Sequence, residues 1–338
     1  MKKNRGGLIL LLILFLISVY FLFFRNGFST LNEKDNEFAV QDTTSISKII
    51  MTAKNNKSVT LTRASAAVWM VNGKYVARED VINNLLYTMK MVAVKNLVDQ
   101  SSWNSVIKDL ATGAIKVEIF KGDDKIKSYY VGGETADHLG TYMLLINSRS
   151  DKNYSQPYIM YIPGFDGYLT SRFLIPEEDW RDRTIFRYYP NQIKVVRVVY
   201  PQQPDSSFQI NVVRKNHFVL TNPVTNQPVN NFDTTAVKQY LTYCQSISWE
   251  VTINTPLKDS ILHSIPITEI SVQDTAGITH DVKLFLKPAP DNVVIKYGKD
   301  YKYDPDRMYA LINGKDFAIV QYFVFGKMMM PVRYFLHQ

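Results

Sequence analysis

One order of strands and helices runs twice through this chain of 338 residues, and that repetition restricts the fold more than any single motif. In the first half, SKIIMT and SVTLTR alternate apolar and polar residues as half-buried strands do. AVWMVNGKYVA forms a hairpin around Asn72-Gly73, a pair suited to the positive φ angles of a tight turn. REDVINNLLYTMKMV places Val81, Leu85, Met89 and Val92 on one helical face, with Asp80 near the positive end of the helix dipole. A second helix, SSWNSVIKDLATG, is preceded by a serine cap and closes at Gly113. Strands AIKVEIF and KSYYVGG follow, joined by KGDDK, and TYMLLI and YIMYIPGFDGYL end the half. From Gln192 the order returns as IKVVRVVY, SFQINVVR and NHFVL, then the helix DTTAVKQYLTYCQ capped by Asp233 or Thr234, then ITEISVQD, HDVKLFLKP and DRMYALINGKDFAIVQYFVF. An offset of about 150 residues is that of a duplicated domain; solenoid periods are roughly 20–50 residues. The expected fold is α+β: two duplicated domains of mostly antiparallel β-sheet, each with helices packed on one face, preceded by one N-terminal transmembrane helix.

That helix is expected at residues 8–24, LILLLILFLISVYFLFF, an uncharged run in which only Ser18 and Tyr20 are polar. At ~1.5 Å per residue it reaches roughly 25 Å, enough to cross a hydrocarbon core with its flanking residues. The run leads into FFRNGF with no small-residue cleavage site and no cysteine, so an uncleaved signal anchor is expected. Lys2, Lys3 and Arg5 place the N-terminus inside. The expected location is the inner (cytoplasmic) membrane, single-pass, with the bulk of the chain periplasmic. The lipid bilayer is then one partner, through residues 8–24.

The expected division is a cytoplasmic tip at 1–7, the anchor at 8–24, a polar stalk at 25–43, a first repeat at 44–175, a joint at 176–191 and a second repeat at 192–338. The joint opens on PEEDWRDRTIF, where Pro176 followed by three acids marks a helix start. Trp180 is expected to pack inward, with Arg181, Asp182 and Arg183 pairing across the seam.

WMVNGKYVAREDVINNLLYTMKMVAVKNLV, IKVEIF with YYVGGETADHLGTYMLL, PYIMYIPGFDGYL and EEDWRDRTIF resemble the family called domain of unknown function 4340, in its Bacteroidetes-type form. The resemblance runs from about residue 46 to 186 and is looser beyond. It implies membership of a membrane complex and brings no catalytic residues with it.

Few chemistries find support in the residues. The five histidines, His138, His217, His263, His280 and His337, are scattered, with no zinc-ligand spacing. His138 beside Asp137 is read as a solvated turn histidine. No nucleophile elbow, P-loop or dinucleotide fingerprint occurs, and no cofactor is expected. Gly132-Gly133 is explained by a hairpin turn, with a backbone anion nest as the alternative. Glu177, Glu178, Asp179 and Asp182 lie beside Arg181 and Arg183, which would hold them ionised and unsuited to general acid work, with Ca²⁺ binding as a further alternative. Cys244, the only cysteine, falls in helical register with Val237 and Leu241 and reads as a buried thiol. A formal charge of +8 without a compact basic cluster argues against nucleic acid as a partner.

Aromatic residues make up 13% of the chain, which supplies a large core and raises the question of a sugar platform. The candidate rings are Tyr158, Tyr161, Phe165 and Tyr168, with glycan as the possible ligand. DTT at Asp42 and Asp233, DSI at Asp259 and DTA at Asp274 also fit a loose O-glycosylation tripeptide. The expected function is a non-enzymatic accessory or scaffold protein acting through protein contacts in an inner-membrane or envelope protein complex. An envelope glycan or ligand-binding module is the alternative, and an unrecognised hydrolase the second alternative.

Overall fold

The computed structural model describes residues 37–153, 156–292 and 296–336, together with Phe15. The expected anchor, apart from Phe15, and the stalk before residue 37 lie outside the described residues. No helix among the described residues is long and apolar enough to cross a membrane. The chain divides into two compact units between Arg181 and Asp182. Every strand pairing described is antiparallel, and the architecture is α+β.

The first unit contains β1 (Lys48–Thr52), β2 (Ser58–Arg63), β3 (Trp69–Val71), β4 (Tyr75–Val76), α1 (Glu79–Met91), β5 (Ala93–Leu97), α2 (Trp103–Gly113), β6 (Ile115–Lys121), β7 (Asp124–Glu134), β8 (Thr141–Ile146), β9 (Tyr158–Tyr161) and α3 (Glu177–Trp180). Its sheet has the order β4-β3-β2-β1-β6-β7-β8-β9-β5. The β3–β4 turn uses Asn72 at φ 50° and Gly73 at φ 66°, the left-handed conformation that this residue pair accommodates.

The second unit contains β10 (Thr184–Phe186), β11 (Ile193–Val199), β12 (Phe208–Arg214), β13 (His217–Thr221), α4 (Thr234–Thr242), β14 (Ile247–Ser248), β15 (Val251–Thr252), α5 (Lys258–Leu262), β16 (Thr268–Asp274), β17 (Thr279–Pro288), β18 (Tyr303–Ile312), β19 (Asp316–Gln321) and α6 (Tyr322–Phe325). Its larger sheet has the order β13-β12-β11-β16-β17-β18-β19-β15. Strand for strand this is the order of the first sheet without its β4. In both, a short strand made after the first long helix, β5 in the first unit and β15 in the second, crosses to the far edge and pairs with the last strand. In the second unit β14, between α4 and β15, pairs with β10 in a separate two-stranded sheet.

The helices do not share one face, which corrects the expected layering. Alternate residues of a strand point to opposite faces. In the first unit, Tyr129, Val131, Met143, Leu145, Tyr158 and Met160 pack with Ile82, Leu85 and Met89 of α1. Their neighbours Tyr130, Tyr142, Leu144 and Ile159 pack with Val106 and Leu110 of α2, on the other face. The second unit repeats the arrangement. Val282, Leu284, Met308 and Ala310 lie with Val237 and Leu241 of α4, whereas Phe285, Tyr309 and Phe317 lie with Ile261 and Leu262 of α5. One helix alone would leave the alternate apolar row of each sheet in water.

Local details also depart from the expected ones. The buried face of α1 is Ile82, Leu85, Thr88 and Met89, and Val81 is only half-buried. Ser102 precedes α2 without a capping hydrogen bond from its side chain, while Asp233 caps α4 by accepting from the Thr235 N–H at 2.7 Å. Gly132 and Gly133 sit inside β7, not in a hairpin turn. A Cβ on Gly132 would stand 2.6 Å from Leu110 Cδ2 and 3.0 Å from the Tyr142 carbonyl oxygen, so glycine there lets α2 lie close to the sheet.

Candidate functional site

The residues singled out in the sequence do not converge on one site. Trp180, at the end of α3, is fully buried; its Nε1 donates to the Leu174 carbonyl at 2.9 Å, and its own carbonyl accepts from the Arg78 N–H at 2.7 Å. Arg181 forms a bridge with Ala77, and its guanidinium carbon lies 3.9 Å from the centre of the Tyr75 ring. In the second unit, Asp182 accepts from the Thr184 N–H at 3.0 Å and pairs with Arg187 at 2.9 Å. Arg183 donates to the Glu250 carbonyl at 2.5 Å.

The two-residue period of β9 separates two of the four rings of the candidate platform, Tyr158 and Tyr161. Tyr158 is buried beside Phe38, ring centres 5.8 Å apart, and is removed from any exposed platform. Tyr161 belongs to the opposite face of the strand and is half-buried. Phe165 and Tyr168, in the loop after β9, are exposed, and the Arg172 guanidinium lies 4.3 Å from the Phe165 ring centre.

The remaining candidates have structural partners. His138 Nδ1 faces Glu134 at 2.9 Å, and that contact holds the imidazolium above the usual histidine range. Asp137 accepts from Thr135 and from the Leu139 N–H, so it serves the turn that carries the histidine. Glu177 accepts from Asn72 Nδ2 at 2.6 Å. Among the described residues no group of three or more His, Cys, Asp or Glu side chains is placed to hold a metal ion. Asp42 and Asp233, which begin two of the glycosylation-like tripeptides, both accept hydrogen bonds from the backbone two residues on.

Cys244 is fully buried, and burial pushes its thiol up to about 12. A thiol held neutral reacts slowly with electrophiles. Folded protein at pH 8 is expected to resist an aromatic disulfide reagent and to react once unfolded in urea. A folded-state rate close to that of free cysteine would contradict this burial.

The surface feature best built for binding is a cleft in the second unit, between the β12–β13 hairpin, the start of β11 and α4. Its volume of about 600 Å³ lies in the range of ligand sites. Ile193, Val212, Phe218 and Leu241 form an apolar floor, and Val213, at 61% exposure, stands at its edge. Lys194 of β11, Arg214 and Lys215 at the hairpin turn and Lys238 of α4 also line it, all four exposed, and no carboxylate does. The nearby Asp274 caps its own turn by accepting from the Ile278 N–H at 2.8 Å. Clustered cations of one sign around a low-dielectric floor concentrate a positive potential there.

The first unit has a groove at the corresponding place, between the β2–β3 hairpin and α1, but it is smaller, at about 230 Å³. Arg63, the last residue of β2 as Arg214 is of β12, turns inward there. It lies 4.6 Å from the centre of the Trp69 ring and donates to the carbonyls of Ile46, Ala66 and Thr43. Glu79 adds a negative charge to the lining.

The cleft was not anticipated from the sequence. The available signal was Val213, an apolar residue where the alternation of β12 calls for a polar one, next to Arg214 and Lys215. No protein family, curated protein or solved structure matches the chain.

Proposed function

We propose that this chain is a membrane-anchored, extracytoplasmic accessory or scaffold protein that acts through protein contacts in an envelope complex. The observation that carries this reading is the cleft between α4 and the β12–β13 hairpin, whose apolar floor and cationic lining form a surface for docking. The matching strand orders support descent of the two units from one duplicated domain. Residues 176–191 are then the joint between the copies. The uncharged run at residues 8–24 supports a single-pass location in the inner membrane, N-terminus inside and the bulk of the chain periplasmic. The resemblance to the domain of unknown function 4340 family belongs to the same proposal.

Crosslinked affinity purification of the full-length chain from its own membrane, followed by mass spectrometry, tests this function. A membrane protein recovered reproducibly with it is the expected result; recovery of the chain alone would overturn the proposal. One observation favours a second reading, an envelope glycan-binding module: Phe165 and Tyr168 are both exposed on one loop. Recovery with glycan and no protein would select it.

A further inference from the structure

Building on the scaffold reading, we propose that the cleft between α4 and the β12–β13 hairpin receives an acidic, amphipathic segment of the partner protein. Apolar side chains of that segment would cover Val213 and the floor formed by Val212, Phe218 and Leu241. Its carboxylates would face Lys194, Arg214, Lys215 and Lys238.

Three observations carry this assignment. The four cations have no acidic counterpart in the lining, and no ion pair among the described residues engages them. They come from four different places, β11, the end of β12, the hairpin turn and α4. That distribution matches carboxylates spaced along a polypeptide better than a single-headed amphiphile, whose charge is concentrated at one end. The corresponding groove of the first unit has its arginine turned inward over Trp69 and an acid in its lining. The cationic cleft is therefore a property of the second copy and not a by-product of the shared topology. Docking of an amphipathic segment into an apolar groove, with charge fixing register and partner choice, is a common mode of recognition.

The probe is a fluorescein-labelled synthetic peptide of about 15 residues, with leucines at i, i+4 and i+7 and glutamates between them. Binding to the full-length chain in mild detergent is read by anisotropy. Saturable binding that weakens as salt rises is expected. Val213→Asp combined with Lys238→Glu is expected to weaken it at least about tenfold. Val213 and Lys238 are both exposed, so the exchange leaves the core intact, and Val219→Asp on exposed β13 surface outside the cleft serves as the control with unchanged binding.

Equal binding of a peptide with lysine in place of glutamate would overturn the inference, as would indifference to the double substitution. Phosphatidylglycerol vesicles form the competing arm: vesicle binding abolished by the same double substitution, with no peptide binding, would identify a lipid surface as the occupant and also overturn it. Crosslinked purification of the double variant separates this inference from the scaffold reading. A partner retained at wild-type yield overturns the cleft as its docking site and leaves the scaffold standing. Absence of a partner from wild type and variant alike removes the scaffold reading itself.

Discussion

Replacing Trp180 by alanine is expected to destabilise the first unit by about 3–5 kcal/mol, the usual cost of emptying a buried indole site. The side chain is fully enclosed and forms part of the same core as Ile82, Leu85 and Tyr129. Its removal also takes the indole N–H away from the Leu174 carbonyl, leaving that acceptor without this donor. The backbone around it holds the start of α1 through the Arg78 N–H, so local loosening would spread into the β3–β4 hairpin. Urea titration followed by hydrogen exchange of peptides from β3 to β7 is the appropriate measurement. A shift under about 1 kcal/mol would show that the indole is not packed as described.

The second large effect concerns Phe335. Its ring meets Phe208 at 4.8 Å and Tyr240 at 5.4 Å, both edge-on, and Phe208 and Tyr240 also meet each other at 5.3 Å. The Phe335 carbonyl accepts from the Asp233 N–H at 2.7 Å, so this aromatic triad ties the end of the second unit to the start of α4. Phe335→Ala is expected to cost about 3–5 kcal/mol. The loss should be seen in peptides from β11 to β13 and α4, with Phe335→Leu recovering much of it. Equal stability of wild type and the alanine variant would mean that the triad is dispensable.

Much of the fold was legible because most elements carry an unambiguous period. SKIIMT, SVTLTR and ITEISVQD alternate, and each forms a strand whose buried positions alternate, while IKVVRVVY forms a strand whose alternation is broken by a register shift between Ile193 and Val195. The parts that escaped are short or weakly patterned. AVKNL, which becomes β5, has only half-buried and exposed positions, and β15 is two residues long. KDSIL supplies a helix of a turn and a half, too short for a hydrophobic stripe to show. The second helix layer did leave a trace. TYMLLI is buried at five of its six positions, and an apolar run without alternation signals a strand covered on both faces.

The candidate site was less legible for a different reason. Tyr158 and Tyr161 are close in the chain, yet an odd separation along a strand puts them on opposite faces. Lys194, Arg214 and Lys238 are far apart in the chain and are brought together by the pairing of β11 with β12 and by the placement of α4. Sequence neighbours were therefore separated and distant residues united, and only Val213 marked the place.

The crossing of β5 to the far edge of its sheet also sets the timetable of assembly. Val94 lies opposite Met160, so a strand made soon after α1 must wait, unpaired, until β6 to β9 have all emerged. Closing such a distant pair costs chain entropy before any contact repays it, and folds rich in these pairings form slowly. The second unit repeats the delay, with Val251 waiting for Ile319. A chain built this way spends the interval with strand edges open to strangers. On that account, chaperones that shield extended segments should affect its yield more than its final stability.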